Sequence, residues 1–376
     1  MGERFGPYTL HECLGAGGMA IVHRATHDIG AGVVREVALK RLLPQLANDK
    51  LFVEDFIREA KLASQLDHPN IVHILELGEI DGIYFISMEL LRGASLVQLM
   101  KQAYATKAGA PIGVVIALVS ELCDALDYAA SGRGLYGQPL RIIHRDLTPS
   151  NMIVTDEGRL KIIDFGVAKA MSGKFMTNTG MIKGKLGYMS PEALSGGNAV
   201  DARTDLFSIG VVAWELITNR RLFRGVNEYE VITKIRGGDL PPPSLHNFEC
   251  PDELDAIVLR ALARDREERW QDAAAIRVSL DRLRPQFIAG PPQVLAWKDQ
   301  LVPSEHRPRR EHRTDLDRIA EGSVRQPTAT ASMDITAVRP HTDEPTRNDL
   351  PSGRAPTQDD EATTLDATIA RSRTED

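Results

Sequence analysis

Hydrophobic and polar positions change rhythm twice along this chain. Up to residue 88, short apolar runs alternate with turn residues. Tyr8-Thr9-Leu10 and Ala20-Ile21-Val22-His23-Arg24-Ala25 flank a glycine cluster, which predicts a hairpin. Residues 34–41 predict the next strand. Across 52–66 the apolar residues Phe52, Phe56, Ala60 and Ala63 recur at helical spacing. His68-Pro69-Asn70 stops that helix, and the runs 71–77 and 83–88 predict two further strands. A small sheet with one helix is the economical reading. From residue 95 to about 284 the pattern is mostly helical, with one irregular stretch around 144–166. Composition then changes: residues 291–376 carry one aromatic, Trp297, among many Pro, Thr, Asp, Glu and Arg. Such a segment cannot bury enough apolar surface to offset an ordering entropy of ~1 to 2 kcal/mol per residue. Residues 285–376 are therefore expected to form a disordered tail.

The 376 residues, 43 % of them hydrophobic, suffice for more than one domain and a sizeable core. A formal net charge of −7 leaves no global basic field for nucleic acid. The longest apolar stretch, 114–130, is interrupted by Ser120, Glu121, Asp124 and Asp127, so it reads as a buried helix and not a membrane span. The first seven residues contain no apolar signal core. Cys13, Cys123 and Cys250 are an odd trio without metal-binding spacing, which reads as reduced thiols. A soluble, cytoplasmic protein is the expectation.

The irregular stretch carries the chemistry. His144-Arg145-Asp146-Leu147-Thr148-Pro149-Ser150-Asn151 is followed by Asp164-Phe165-Gly166. Two acids and an amide at this spacing can hold a base and two metal-ligand positions around one phosphate. Upstream, Gly15-Ala16-Gly17-Gly18-Met19-Ala20 lies between two predicted strands, where glycines let backbone N–H groups approach phosphate oxygens. Each feature taken singly has a plainer explanation: a loop acid, a helix cap, a hairpin turn. Val37-Ala38-Leu39-Lys40 likewise ends in what would be a solvated edge charge if it stood alone. Their occurrence together and in order is what excludes the plainer explanations.

Taken together these motifs resemble the protein kinases, over roughly residues 8–283. Gly17-Gly18-Met19-Ala20 and Gly187-Tyr188-Met189 are closest to the bacterial eukaryotic-like Ser/Thr kinases. The resemblance implies an α+β, bilobal fold over 8–284: a β-rich small lobe with one helix (8–88), a hinge (89–94) and a helical large lobe (95–284). It implies ATP as phosphoryl donor and protein Ser/Thr hydroxyls as acceptors. Asp146 becomes the catalytic base, and Asn151 and Asp164 the ligands of Mg²⁺, with Mn²⁺ as an alternative. Lys40 becomes the ligand of the α- and β-phosphates and Glu59 its ion-pair partner, with Glu54 the competing acid on the same helix. Leu14, Gly15, Ala16, Gly17, Gly18 and Val22 would cover the nucleotide. Ala38, Met88 and Ile153 would line the adenine site, and Glu89 and Leu91 would contact adenine through their backbones. Glu192, in Ser190-Pro191-Glu192, would pair with Arg269, and Asp205 would begin the helix that braces the catalytic loop.

Two departures and two extensions complete the reading. Thr148 stands where Ser/Thr kinases carry a lysine, and Lys185, in Gly184-Lys185-Leu186-Gly187-Tyr188, stands where they carry a threonine. The pair looks exchanged, which would return an ammonium to the transferred phosphate from the opposite side. Arg145 and Lys169 would clamp a phosphate on the activation segment, with Thr177 and Thr179 at the spacing of autophosphorylated threonines in the bacterial relatives. Tail threonines such as Thr363 and Thr364 would offer docking sites to phosphothreonine-binding modules. Nucleic acid and a membrane span are not expected. The rival from another class is a catalytically weak nucleotide-binding scaffold, which Thr148 alone favours. The Ala- and Arg-rich catalytic-loop variants of tyrosine kinases are missing.

Overall fold

The computed structural model describes residues 2–134, 137–165, 185–195, 200–288 and 290–303. The small lobe is an antiparallel sheet of β1 (Glu3–Phe5), β2 (Tyr8–Ala16), β3 (Ala20–Asp28), β4 (Val34–Leu42), β5 (Ile74–Ile80) and β6 (Ile83–Glu89), in the order β1-β2-β3-β4-β6-β5. The predicted first strand is longer than its apolar run. Leu14, Gly15 and Ala16 belong to β2, and only residues 17–19 turn. Asp81 and Gly82 join β5 to β6 with φ of 51° and 77°, the left-handed pair that a two-residue hairpin requires.

Helix α1 (Lys50–Ala63) begins at Asp49, whose side chain accepts from the Leu51 N–H. Its buried face is Phe56, Glu59, Ala60 and Ala63, so a carboxylate sits on an otherwise apolar stripe. Glu54 is exposed. The helix packs on β5 and β6.

The predicted strand 71–77 begins three residues late, at Ile74. Residues 70–72 bond to the large lobe instead. Asn70 Nδ2 donates to the Leu160 carbonyl at 2.8 Å, the Asn70 carbonyl accepts from the Ile162 N–H at 2.9 Å, and the Val72 N–H donates to the Ile162 carbonyl at 2.8 Å. Buried backbone must find partners, and here those partners lie across the lobe boundary.

In the large lobe, α2 (Leu96–Thr106) is capped by Ser95, and α3 (Ile112–Ser131) is buried on every side over 112–120, while Glu121, Asp124 and Asp127 give its second half a half-buried polar side. Helix α5 (Arg203–Thr218) is buried along most of its length, after the short α4 (Pro191–Leu194). Helices α6 (Glu228–Gly237), α7 (Asp252–Ala261) and α8 (Ala273–Asp281) complete the bundle. A second sheet comprises β7 (Gly93–Ser95), β8 (Met152–Thr155) and β9 (Leu160–Ile162), of which β8 and β9 lie within the irregular stretch, between the loop 144–151 and Asp164.

One boundary needs correction. Residues 285–303 contain α9 (Pro291–Leu301), which packs on α3, α2 and β8 and buries Val294, Trp297 and Leu301. Those three positions fall at helical spacing, a signal that overall composition averages away. Lys298 is 2 % exposed and pairs with Asp156 at 2.6 Å. Gly158, at φ +71°, lies so close to the Pro291 carbonyl oxygen that a Cβ would fall 2.0 Å from it. A chain ending at residue 288 is expected to melt several degrees lower than one ending at 303, because three buried apolar side chains lose their seat. Equal melting temperatures in a calorimetric scan would show that α9 adds nothing to the fold. Residues 304–376, including Thr363 and Thr364, lie outside the described residues.

Candidate active site

Strand register sets the roof and rear wall of the cleft. β3 and β4 pair Val22 with Lys40, and β4 and β6 pair Ala38 with Met88. Val22, Ala38 and Met88 thereby share one patch with Met19, Ile74 and Ile163. The Gly17 N–H bonds to the Ala20 carbonyl at 2.8 Å, and Gly15 has open space where a Cβ would stand. Leu14, Ala16 and Gly18 are exposed beside it. Glu89 is fixed at the crossing to the large lobe: its carboxylate accepts from Lys161 Nζ at 2.5 Å and from the His73 N–H at 2.8 Å. Leu91 packs at the edge of the same apolar patch. Ile153, on β8, pairs with Ser95 and Lys161.

Lys40 is 7 % exposed and donates to Glu59 Oε1 at 2.7 Å and to Asp164 Oδ1 at 2.9 Å. Burial works to lower its pKa, but the Asp164 and Glu59 carboxylates outweigh this and raise it, so it stays an ammonium. Glu59, not the exposed Glu54, is thus the partner of Lys40. The same cleft is lined by Val72, Ile86 and Phe165. Ile163 belongs to this lining and was not anticipated; its position immediately before Asp164 was the available signal.

The catalytic loop is held from below. Asp205, at the first turn of α5, accepts the His144 N–H at 2.7 Å and the Arg145 N–H at 2.9 Å. Burial pushes its carboxyl up to about 6, against the pull of those two bonds. Arg145 itself is at φ +63°, a left-handed conformation that costs of order 1 to 3 kcal/mol and persists only where its surroundings enforce it. The His144 ring lies against Phe165 at 4.7 Å between centroids, joining the loop to the residue after Asp164.

Asn151 Nδ2 donates to the Asp146 carbonyl at 2.8 Å and to Asp146 Oδ2 at 3.1 Å. With the amide nitrogen so engaged, its oxygen meets a long 3.5 Å contact from Ser150 Oγ. The Ile163 N–H donates to the Asn151 carbonyl at 2.9 Å, which ties this loop to Asp164. Asp146 Oδ2 also accepts from Lys185 Nζ at 2.7 Å. Thr148 is 4 % exposed, and its hydroxyl lies 2.7 Å from Ser150 Oγ.

Below the site, Arg269 is fully buried and meets both Glu192 oxygens, at 2.9 and 3.2 Å. Lys169, Thr177 and Thr179 lie outside the described residues.

A buried lysine held by two carboxylates, beside a loop that offers a carboxylate base and an amide oxygen, is the equipment of a phosphotransferase. Residues 8–278 match the protein kinase domain family, and the chain belongs to the protein kinase family. Tyrosine-protein kinase MasK of Myxococcus xanthus is 39 % identical over 288 residues, 77 % of this chain and 44 % of that protein. Serine/threonine-protein kinase PrkC of Bacillus subtilis is 36 % identical, over 73 % of this chain and 40 % of that protein. Serine/threonine-protein kinase PknB of Mycobacterium tuberculosis is 35 % identical, over 77 % and 44 %. The solved kinase domain of M. tuberculosis PknI matches with a TM-score of 0.54 at 28 % identity, covering 76 % of this chain and 97 % of that one. The chain spans less than half the length of these curated relatives. Its kinase domain is of the bacterial eukaryotic-like kind, from a family whose members use ATP and a divalent metal.

Proposed function

We propose that this chain transfers the γ-phosphoryl group of ATP to Ser or Thr hydroxyls of proteins, its own activation segment among them. The observation that carries the reading is Lys40 bridging Glu59 and Asp164 while Asp146 and Asn151 share a hydrogen bond. Lys40 orients the α- and β-phosphates, the Gly-rich turn covers them, and Asp146 takes the acceptor's proton.

The residues fit a hard divalent cation such as Mg²⁺, with Mn²⁺ as an alternative. Asn151 Oδ1 and the Asp164 carboxylate are oxygen donors, and among the described residues there is no cluster of three His, Cys, Asp or Glu. A metal that takes two protein oxygens and completes its shell from phosphates and water suits such a set. It would supply neutralising charge at the triphosphate.

Three further supports are local. Arg145 Nε is buried without a hydrogen-bond partner among the described residues, which suits a phosphate clamp shared with Lys169 for Thr177 or Thr179. Cys13, Cys123 and Cys250 are free thiols, as in a cytoplasmic protein. Among the described residues no helix is long and apolar enough to cross a membrane. Recruitment of phosphothreonine-binding modules by Thr363 and Thr364 belongs to the same reading.

The test is incubation of the purified chain with ATP and Mg²⁺, with phosphosites mapped by mass spectrometry. Phosphate on Thr177 or Thr179 is the expected result. MasK, named a tyrosine kinase, makes phosphotyrosine the result to look for against it. Phosphate on tyrosine alone would move the acceptor class, and none at all with nucleotide bound would favour the scaffold.

A further inference from the structure

Asp146 keeps company that a base does not ordinarily need. Lys185 Nζ lies 2.7 Å from Asp146 Oδ2, although the two residues are 39 positions apart in the chain. Its side chain is 40 % exposed and that of Asp146 12 %, so the pair faces the open side of the site. As a structural ion pair at that exposure it would contribute little to stability. The placement makes chemical sense if the same ammonium serves where negative charge resides once the base has been neutralised.

Among the described residues, Lys40 and Thr148 are engaged elsewhere. Lys40 is held between Glu59 and Asp164. Thr148 is neutral, buried, and turned to Ser150. An ammonium, by contrast, has three donors that point in different directions.

We infer that Lys185 is the cation that stabilises the transferring phosphoryl group, delivered by the segment 185–195 instead of by the catalytic loop. The inference rests on Asp146 being the base. The acceptor hydroxyl oxygen bonds to Pγ, and the bond between Pγ and the β,γ-bridging oxygen breaks. Its electron pair leaves on ADP, and the hydroxyl proton passes to Asp146. Carboxylate charge disappears as charge spreads over the phosphoryl oxygens, and Lys185 exchanges one partner for the other without moving far. It forms no bond and transfers no proton. Stabilising charge that develops in the transition state acts on turnover and not on ground-state nucleotide binding.

The experiment uses the full chain and a synthetic peptide bearing the hydroxyl that the parent phosphorylates. Lys185→Ala is expected to lower kcat by roughly 10² to 10³-fold, the loss seen when one preorganised donor is removed. Affinity for MgADP by titration calorimetry should stay within about twofold, since the interaction belongs to the transition state. Thr148→Lys combined with Lys185→Thr should recover at least about tenfold over Lys185→Thr alone, because two positions that serve the same phosphoryl group couple. A purely structural ion pair would not give that recovery. Strictly additive losses, or a kcat within about threefold of the parent in Lys185→Ala, overturn the inference. So does a Lys185→Ala chain that no longer melts cooperatively or binds MgADP, since the lysine is then part of the scaffold. Asp146→Asn is the control: a parent no more active than that variant would overturn the assignment of the base and not only that of Lys185.

Discussion

Asp146→Asn should reduce phosphoryl transfer by roughly 10² to 10⁴-fold, the usual worth of a positioned general base. The fold and MgADP affinity should change little. The substitution is isosteric, and the backbone partners stay: Asn151 Nδ2 still reaches the carbonyl of residue 146, and His144 Nδ1 still accepts the N–H of that residue. An amide cannot take up the hydroxyl proton. It also presents Lys185 with a neutral oxygen in place of a carboxylate, so the ammonium loses its resting partner at 2.7 Å. Turnover of a peptide at saturating ATP, beside a thermal melt with and without MgADP, checks both halves. Retention of more than about a tenth of the parent's kcat would mean that Asp146 orients the acceptor without accepting its proton.

Arg269→Ala should cost ~3 to 5 kcal/mol of stability, because removing one member of a buried pair strands the other. Arg269 has no exposed surface and bonds to both oxygens of Glu192, to the Ala263 carbonyl at 3.0 Å and to the Arg203 carbonyl at 2.6 Å. Its guanidinium also lies over the Phe207 ring, 5.2 Å from the centroid. Arg269→Lys should rescue little, since one ammonium cannot reproduce the fork. The pH dependence has a definite sign. Burial works to raise the Glu192 carboxyl, but the bonds from Arg269 outweigh it and hold its pKa below the ordinary 4.5. A depressed carboxyl contributes stability above its unfolded pKa and loses it as pH falls through the lower folded value. The gap between parent and Arg269→Ala in urea midpoints should therefore be full at neutral pH and narrow in acid. A gap that widens in acid would contradict the pair's assigned direction.

Much of the site was legible because its parts are tied to short, ordered motifs. Lys40, Asp146, Asn151 and Asp164 are each fixed by their immediate neighbours in sequence, and the structure brings them together as the motifs implied. Glu59 needed helical phase as well: it follows Phe56 by three residues and precedes Ala63 by four, while Glu54 points to solvent. Lys185 could be placed near Asp146 only through the family's pattern, since nothing local joins residues 39 apart. Other features depended on what the chain does at a distance. Residues 70–72 have strand composition but bond to β9, and no local pattern predicts that choice. The period of Val294, Trp297 and Leu301 was hidden within a polar, Pro-rich composition.

The bonds of Asn70 and Val72 to Leu160 and Ile162 have a mechanical consequence. The lobes are joined at 89–92 and again at 70–72, and two points of attachment define an axis. Rotation about such a line sweeps remote parts through wide arcs and leaves parts beside it nearly still. Asp164 stands two residues from Ile162, and the Gly-rich turn at 17–19 is the free end of a hairpin. On the proposed function, nucleotide would therefore come and go by the lifting of that turn, while the grip of Lys40 on Asp164 stays near the pivot.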